Sequence, residues 1–188
     1  ALQSPAAPTR LAGCPFVTLL EAFAAALGVL AVYLTARQNP WCWPLGLVMV
    51  LLYAWVFFEA RLYANTLLQG VFAITQLYGW WQWRRPASAS PARTVSLLAP
   101  WPVLRGLLLA GLGSLLLGYG LAHFSDAAAP WSDAALTAFS LLAQLWMAHK
   151  RVQCWPLWLL VDVAYVVLFI DQALYLTALL YGLFCLLA

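Results

Sequence analysis

Seven long apolar runs, nearly free of charge, leave this chain few ways to fold. They fall at about 18–36, 43–59, 62–83, 102–122, 132–148, 155–170 and 173–188. Roughly 17–25 apolar residues of helix cross a bilayer. In lipid a helix satisfies its own backbone hydrogen bonds, so the runs read as membrane helices, the last one short. With 65% hydrophobic and 8% charged residues, the chain cannot clothe a water-facing surface; soluble domains carry about 25% charged residues. The fold class expected is an all-α integral membrane protein with seven transmembrane helices. The net charge of +3 is then no nucleic-acid footprint and matters through its placement. Cys14, Cys42, Cys154 and Cys185 are scattered, without metal-ligand spacing, and no disulfide framework is expected.

Residues 1–17, rich in Pro and Ala, read as a flexible tail without the pattern of a signal peptide. Ser132 and Asp133 read as N-cap residues of the fifth helix. The polar, proline-broken stretch "RRPASASPAR" lies in a linker over 84–101. Basic residues fix the orientation. Arg37, Arg84, Arg85, Arg93, Lys150 and Arg151 follow the first, third and fifth helices, whereas the other side holds only Arg10 and Arg61. The positive-inside rule places the N-terminus outside and the C-terminus in the cytoplasm.

The chain also repeats itself at an offset of 112 residues. "CWPL" at 42–45 falls on "CWPL" at 154–157, and 13 of the 31 positions from 42 to 72 are identical to their counterparts. Apolar composition alone would give roughly a quarter as many. Glu21 pairs with Asp133, and Glu59 with Asp171. The offset spans four helices, so both copies run in the same direction. A 3+1+3 arrangement of two parallel three-helix repeats follows: a first bundle over 18–83, a linker helix over 102–122 and a second bundle over 132–188. Such parallel repeats, as in SWEET proteins, put a substrate site between the bundles near the midplane.

"WCWPLGLVMVLLYAWVFFEARLYANTLLQGVFAITQLYGWWQW" resembles the first half of the PnuC vitamin transporters. "LTAFSLLAQLWMAHKRVQCWPLWLLVD" and "LYLTALLYGLF" resemble the second half. The resemblance covers nearly the whole chain from the first helix onward. It implies a transporter of the bacterial inner membrane that takes up nicotinamide riboside, an NAD precursor, by facilitated diffusion, with cytoplasmic phosphorylation trapping it. It also implies a homotrimer. Two departures are visible. Asp162 stands where the family often has Asn, which leaves thiamine, riboflavin or deoxynucleosides as alternative substrates. The chain ends at Ala188, before a second "GWWQW", so the seventh helix reads as cut short.

The residues supply their own argument about the site. Trp155, Trp158 and Asp162 share a helix face through spacings of three and four. Asp162 lies about 10 Å beyond Trp155, near mid-helix, where an ionisable group costs a few kcal/mol and marks function by default. Indole faces attract a cationic ring by about 0.5–2 kcal/mol each, and a carboxylate accepts ribose hydroxyls or neutralises the cation. The first-copy counterparts are Trp43, Gly46 and Val50. One indole survives there, and Gly46 reads as space left for ligand. Two other polar stripes point inward, Asn65, Gln69, Gln76 and Trp80 on the third helix and Thr137, Ser140 and Gln144 on the fifth; most read as glue between helices, with Gln76 and Gln144 the foremost ligand contacts. The candidate substrate-binding residues are Trp155, Trp158, Asp162, Trp43, Gln144, Gln76 and Trp80. Arg105 is the intramembrane base available to pair with Asp162, and His123 and His149 read as solvated helix ends. The five glycines of the fourth helix read as close-approach positions, on an oligomer face among other possibilities. No Cys/His, Ser/His or metal constellation shares a face, so neither enzyme activity nor a cofactor is expected.

Overall fold

A computed structural model of the chain describes residues 15–59, 63–84, 94–124, 130–171 and 175–187. They form seven helices: α1 (Pro15–Ala36), α2 (Cys42–Glu59), α3 (Tyr63–Arg84), α4 (Pro100–Phe124), α5 (Pro130–Ala148), α6 (Cys154–Asp171) and α7 (Tyr175–Leu187). At 1.5 Å per residue, the 25 residues of α4 reach about 37 Å, while the 13 of α7 reach only about 20 Å. Because α5 begins at Pro130, Ser132 and Asp133 sit inside its first turn rather than at its cap. Proline suits a helix start, where its missing N–H has no intrahelical partner anyway. Asp133 there faces the positive end of the helix dipole. Pro44 and Pro156 likewise occupy the first turns of α2 and α6.

The 112-residue repeat reappears in the backbone, bond for bond. α1 ends at Ala36 and α5 at Ala148; α2 starts at Cys42 and α6 at Cys154; α3 starts at Tyr63 and α7 at Tyr175. After α1, the Gln38 N–H donates to the Thr35 carbonyl and the Asn39 N–H to that of Leu34, each at 2.9 Å. After α5, Lys150 donates to Met147 and Arg151 to Trp146 at the same length. These are Schellman turns, which satisfy carbonyls orphaned at a helix end. Their pivot residues take positive φ, 54° at both Gln38 and Lys150.

Packing is sequential within each half. α1 packs on α2 and α2 on α3; α5 packs on α6 and α6 on α7. The halves meet through α3 against α5 and α1 against α7. α4 leans on α5, and Gly118 is its one buried residue. Of its five glycines, Gly106 approaches Leu142 and Trp146 of α5, and Gly118 lies under Trp131; Gly111, Gly113 and Gly120 face open space. Trp101, Leu108, Leu112 and Leu116 are exposed along it. Exposed leucine is at home in lipid, where no water penalises it.

Two cores lie near the end where α1, α3 and α5 terminate. In one, Trp43 is 1% exposed and packs with Cys42, Trp83 and Ala148. Its ring meets that of Trp83 edge-on at 5.5 Å and rests on bare Gly79, where a Cβ would overlap it. In the other, Ala143 and Trp146 of α5 hold Cys154 and Leu157 of α6. Met147 packs against both.

Candidate functional site

α6 buries Cys154, Leu157, Val161 and Asp162, while Leu159, Leu160, Val163 and Val167 point outward. Trp155 and Trp158 are half-buried along the flank of that buried face and pack against the α5–α6 core. Asp162 is 6% exposed. It stands eight residues from the helix start and nine from its end, close to the centre of a span of about 27 Å. Among the described residues no hydrogen bond or ion pair to its carboxylate is found. Arg105, the base expected beside it, is exposed on α4, which packs on α5 rather than α6. That placement removes the expected pair.

The polar stripe of α5 faces the same region. Thr137, Ser140 and Gln144 are all buried, with Ser140 and Gln144 at 2% and 4% exposure. Ser140 lies beside the phenol of Tyr165, one turn beyond Asp162. The Gln144 Nε2 is buried without a partner. A buried amide donor left unmade costs about 1–3 kcal/mol, so it marks a group kept for something other than stability. The Tyr165 ring packs on Tyr181 of α7 at 4.8 Å between centroids. Asp162 is within electrostatic reach of Tyr165, Tyr181 and Cys185, and Tyr181 also within reach of Tyr53 on α2. The carboxylate therefore sits among phenols where the second half of the chain faces the first.

The first-half candidates have different surroundings. Trp43 fills the slot over Gly79. Trp80 is half-buried against that core, and the Arg84 guanidinium lies over its ring at 5.3 Å. The space at Gly46 is taken by Gln76: a Cβ there would stand 2.6 Å from Gln76 Nε2. The expectation that Gly46 leaves room for ligand is thus corrected, since glycine makes room for the amide of the adjacent helix. Trp155 and Trp158 pack against the same α5–α6 core, Gln144 and Asp162 are buried on those two helices, and Trp43, Gln76 and Trp80 lie together on α2 and α3. Asn65 lies in α3 with its side chain outside the described residues, as do Arg10, Arg61, Arg85 and Arg93 in full.

One end of the bundle is closed between the halves. The Trp83 Nε1–H donates to the Ala148 carbonyl at 3.1 Å, and the Lys150 ammonium lies 4.6 Å from the centre of the Trp83 ring. His149 is no free, solvated residue. Its Nδ1 lies 2.8 Å from the Leu145 carbonyl, which can only accept, so in the neutral ring Nε2 accepts from the Tyr78 hydroxyl at 3.0 Å. The segment before α4 is pinned to the same end: the Ser96 N–H donates to the Lys150 carbonyl and the Val152 N–H to the Ser96 carbonyl, a strand-like bridge around Arg151, and Gln153 bonds both the N–H and carbonyl of Leu98. A small cavity lies between the two Schellman turns, lined by Thr35, Gln38, Met147, Lys150 and Cys154 among others.

Sequence reasoning passed over Tyr165, Tyr181, Tyr78 and the Trp83–Ala148 bond. Tyr165 carried a signal, being three residues past Asp162 and one of the identities shared with the first copy, at Tyr53. The Tyr78–His149 pair spans 71 residues and carried none.

A helical bundle with polar side chains buried halfway along its membrane helices is the architecture of a membrane transporter. The chain belongs to the nicotinamide mononucleotide transporter family, whose pattern it matches over residues 18–188. It is 28% identical over 187 residues to the nicotinamide riboside transporter PnuC of Escherichia coli (strain K12), with 86% of this chain and 78% of that protein covered. It is 30% identical over 140 residues to the riboflavin/roseoflavin transporter RibM of Streptomyces davaonensis, covering 72% and 65%. Its fold matches the crystal structure of the vitamin B3 transporter PnuC with a TM-score of 0.74, at 23% identity, over 92% of this chain and 78% of that one.

Proposed function

We propose that this chain carries nicotinamide riboside across the bacterial inner membrane by facilitated diffusion, through a site between two parallel three-helix bundles. The family membership and the similarity to PnuC support the substrate. The repeated Schellman turns, together with the matched packing of α3 on α5 and α7 on α1, support the 3+1+3 plan. α4 is then the linker helix, and its exposed glycines and leucines suit a face between copies in a homotrimer. The basic residues of the closed end, Arg37, Arg84, Lys150 and Arg151, suit the cytoplasmic side, with the N-terminus outside.

The observation that carries this reading is Asp162, a carboxylate buried mid-helix on α6 one and two turns beyond Trp158 and Trp155, with the orphaned amide of Gln144 buried on neighbouring α5. Indoles accept the flat pyridinium, the carboxylate answers its charge, and amide and phenol groups serve the ribose and carboxamide. Gln76 and Trp80 stand on the opposing side from the first bundle, with the enclosed Trp43 packed behind Trp80. The test is competition binding to the purified chain and to Trp158→Ala. Riboside should bind, thiamine and riboflavin should fail to displace it, and the substitution should cost at least about tenfold in affinity. Displacement by thiamine or riboflavin moves the substrate to that vitamin.

A further inference from the structure

We propose that Asp162 reads the charge on the ligand's ring, so that the site takes a cationic heteroaromatic nucleoside and discriminates against its uncharged, reduced counterpart. The inference rests on the site reading above and adds to it what the carboxylate contacts. A carboxylate in such a site has two possible tasks: to accept ribose hydroxyls or to answer a positive ring. The first needs only acceptor oxygens. The second needs charge, and the placement of charges in this chain favours it.

The described basic side chains lie far from the carboxylate along the chain's architecture. Arg37, Arg84, Lys150 and Arg151 cluster at the closed end with His149, His123 ends α4, and Arg105 is exposed on α4. The titratable groups within electrostatic reach of Asp162 are Tyr165 on its own helix and Tyr181 and Cys185 on α7, with Tyr53 on α2 in reach of Tyr181 and Asp133 of α5 in reach of Tyr165. None of these is a cation. A carboxylate removed from water is stabilised by a paired charge, and the protein supplies none here among the described residues. The missing partner has the chemistry of a cationic ligand.

The repeat makes the charge one-sided. The counterpart of Asp162 in the first bundle is Val50, buried at 4% exposure. A ligand between the bundles thus meets one carboxylate, on α6, and its positive ring is drawn toward the second bundle. Trp158, one turn before Asp162 on the same helix, is half-buried beside it in sequence register.

The experiment measures binding of nicotinamide riboside and of its neutral 1,4-dihydropyridine form to the full chain, to Asp162→Asn and to Trp158→Ala. Each variant is first checked as a single species in detergent. The wild type should prefer the cation by about ten- to a hundredfold, the weight of one charge-assisted contact. Asp162→Asn keeps the shape and an acceptor oxygen, and should bring the two affinities within about threefold of each other while still binding the neutral form. Equal affinities in the wild type, or an unchanged preference in Asp162→Asn, overturns the proposal. If Trp158→Ala then still abolishes binding of both forms, the site stands and the charge reading alone falls. If the wild type binds neither form, the substrate assignment falls and this inference with it.

Discussion

Gln38 and Lys150, 112 residues apart, turn the chain through the same left-handed backbone, with φ 54° at each. Neither is glycine, although a side chain in that conformation costs about 1 kcal/mol or somewhat more. The two turns border one cavity at the closed end, so the duplicated backbone meets itself there. A strained non-glycine residue at both pivots means that the side chains matter at this position. Gln38→Gly should stabilise the protein by about 0.5–1 kcal/mol, seen as a higher Tm in detergent. Lys150→Gly should gain less, because it also loses the ammonium over Trp83, a contact worth about 0.5–1 kcal/mol. Equal shifts in the two variants would remove the cation–π contact from the account.

Gly46 and Gly79 separate two kinds of close packing. At Gly79 an added methyl meets the rigid Trp43 ring, which is fully enclosed. At Gly46 it meets the amide end of Gln76, a flexible side chain. Gly79→Ala should therefore cost about 1–3 kcal/mol, as overpacking does, and Gly46→Ala less. Thermal unfolding of the two variants side by side checks the order. A smaller loss at Gly79 would mean that α2 and α3 separate readily.

Much of the architecture could be read in the sequence, because lipid leaves a narrow choice. Apolar runs had to be helices, and prolines, glycines and charges mark their ends to within about three residues. The repeat was visible because its identities cluster at the turn and helix start, "CWPL" at 42–45 and 154–157, where both copies face the same geometry. The depth of Asp162 followed from counting residues, whereas its separation from Arg105 did not. What the sequence could not reveal is the rotation of each helix about its axis. That rotation puts Ser140 against Tyr165, turns Gln76 onto Gly46, and leaves Arg105 on the outside of α4. Trp43 and Trp155 occupy equivalent positions, yet one is enclosed and the other half-buried, because Gly79 opens a slot in α3 for the first.

The closed end should be held by Trp83 and Tyr78. Cys154 is 3% exposed and borders the cavity there. Trp83→Phe removes the bond to the Ala148 carbonyl, and Tyr78→Phe the bond to His149. Each loss is worth about 0.5–1.5 kcal/mol, about a twofold to tenfold rise in any open population. With Cys14, Cys42 and Cys185 replaced by Ala, Cys154 should become several-fold more reactive toward a membrane-impermeant thiol reagent in either variant. Unchanged labelling would show that this end is closed by packing alone.

Gln144 offers a test that separates binding from stability. Its Nε2 is buried and unpartnered, so Gln144→Leu, close in volume and without the amide, removes an unmet donor. If that donor is held in reserve for ligand, the variant should be more stable by about 1 kcal/mol and should bind nicotinamide riboside at least about tenfold more weakly. If the amide instead holds α5 to its neighbours, as polar groups do between membrane helices, stability should fall by about 0.5–2 kcal/mol. Thermal unfolding and ligand titration on the same preparation distinguish the two. A gain in Tm with a loss of affinity is the signature of a recognition group, because a group that only packs helices has no reason to leave its donor unpaired.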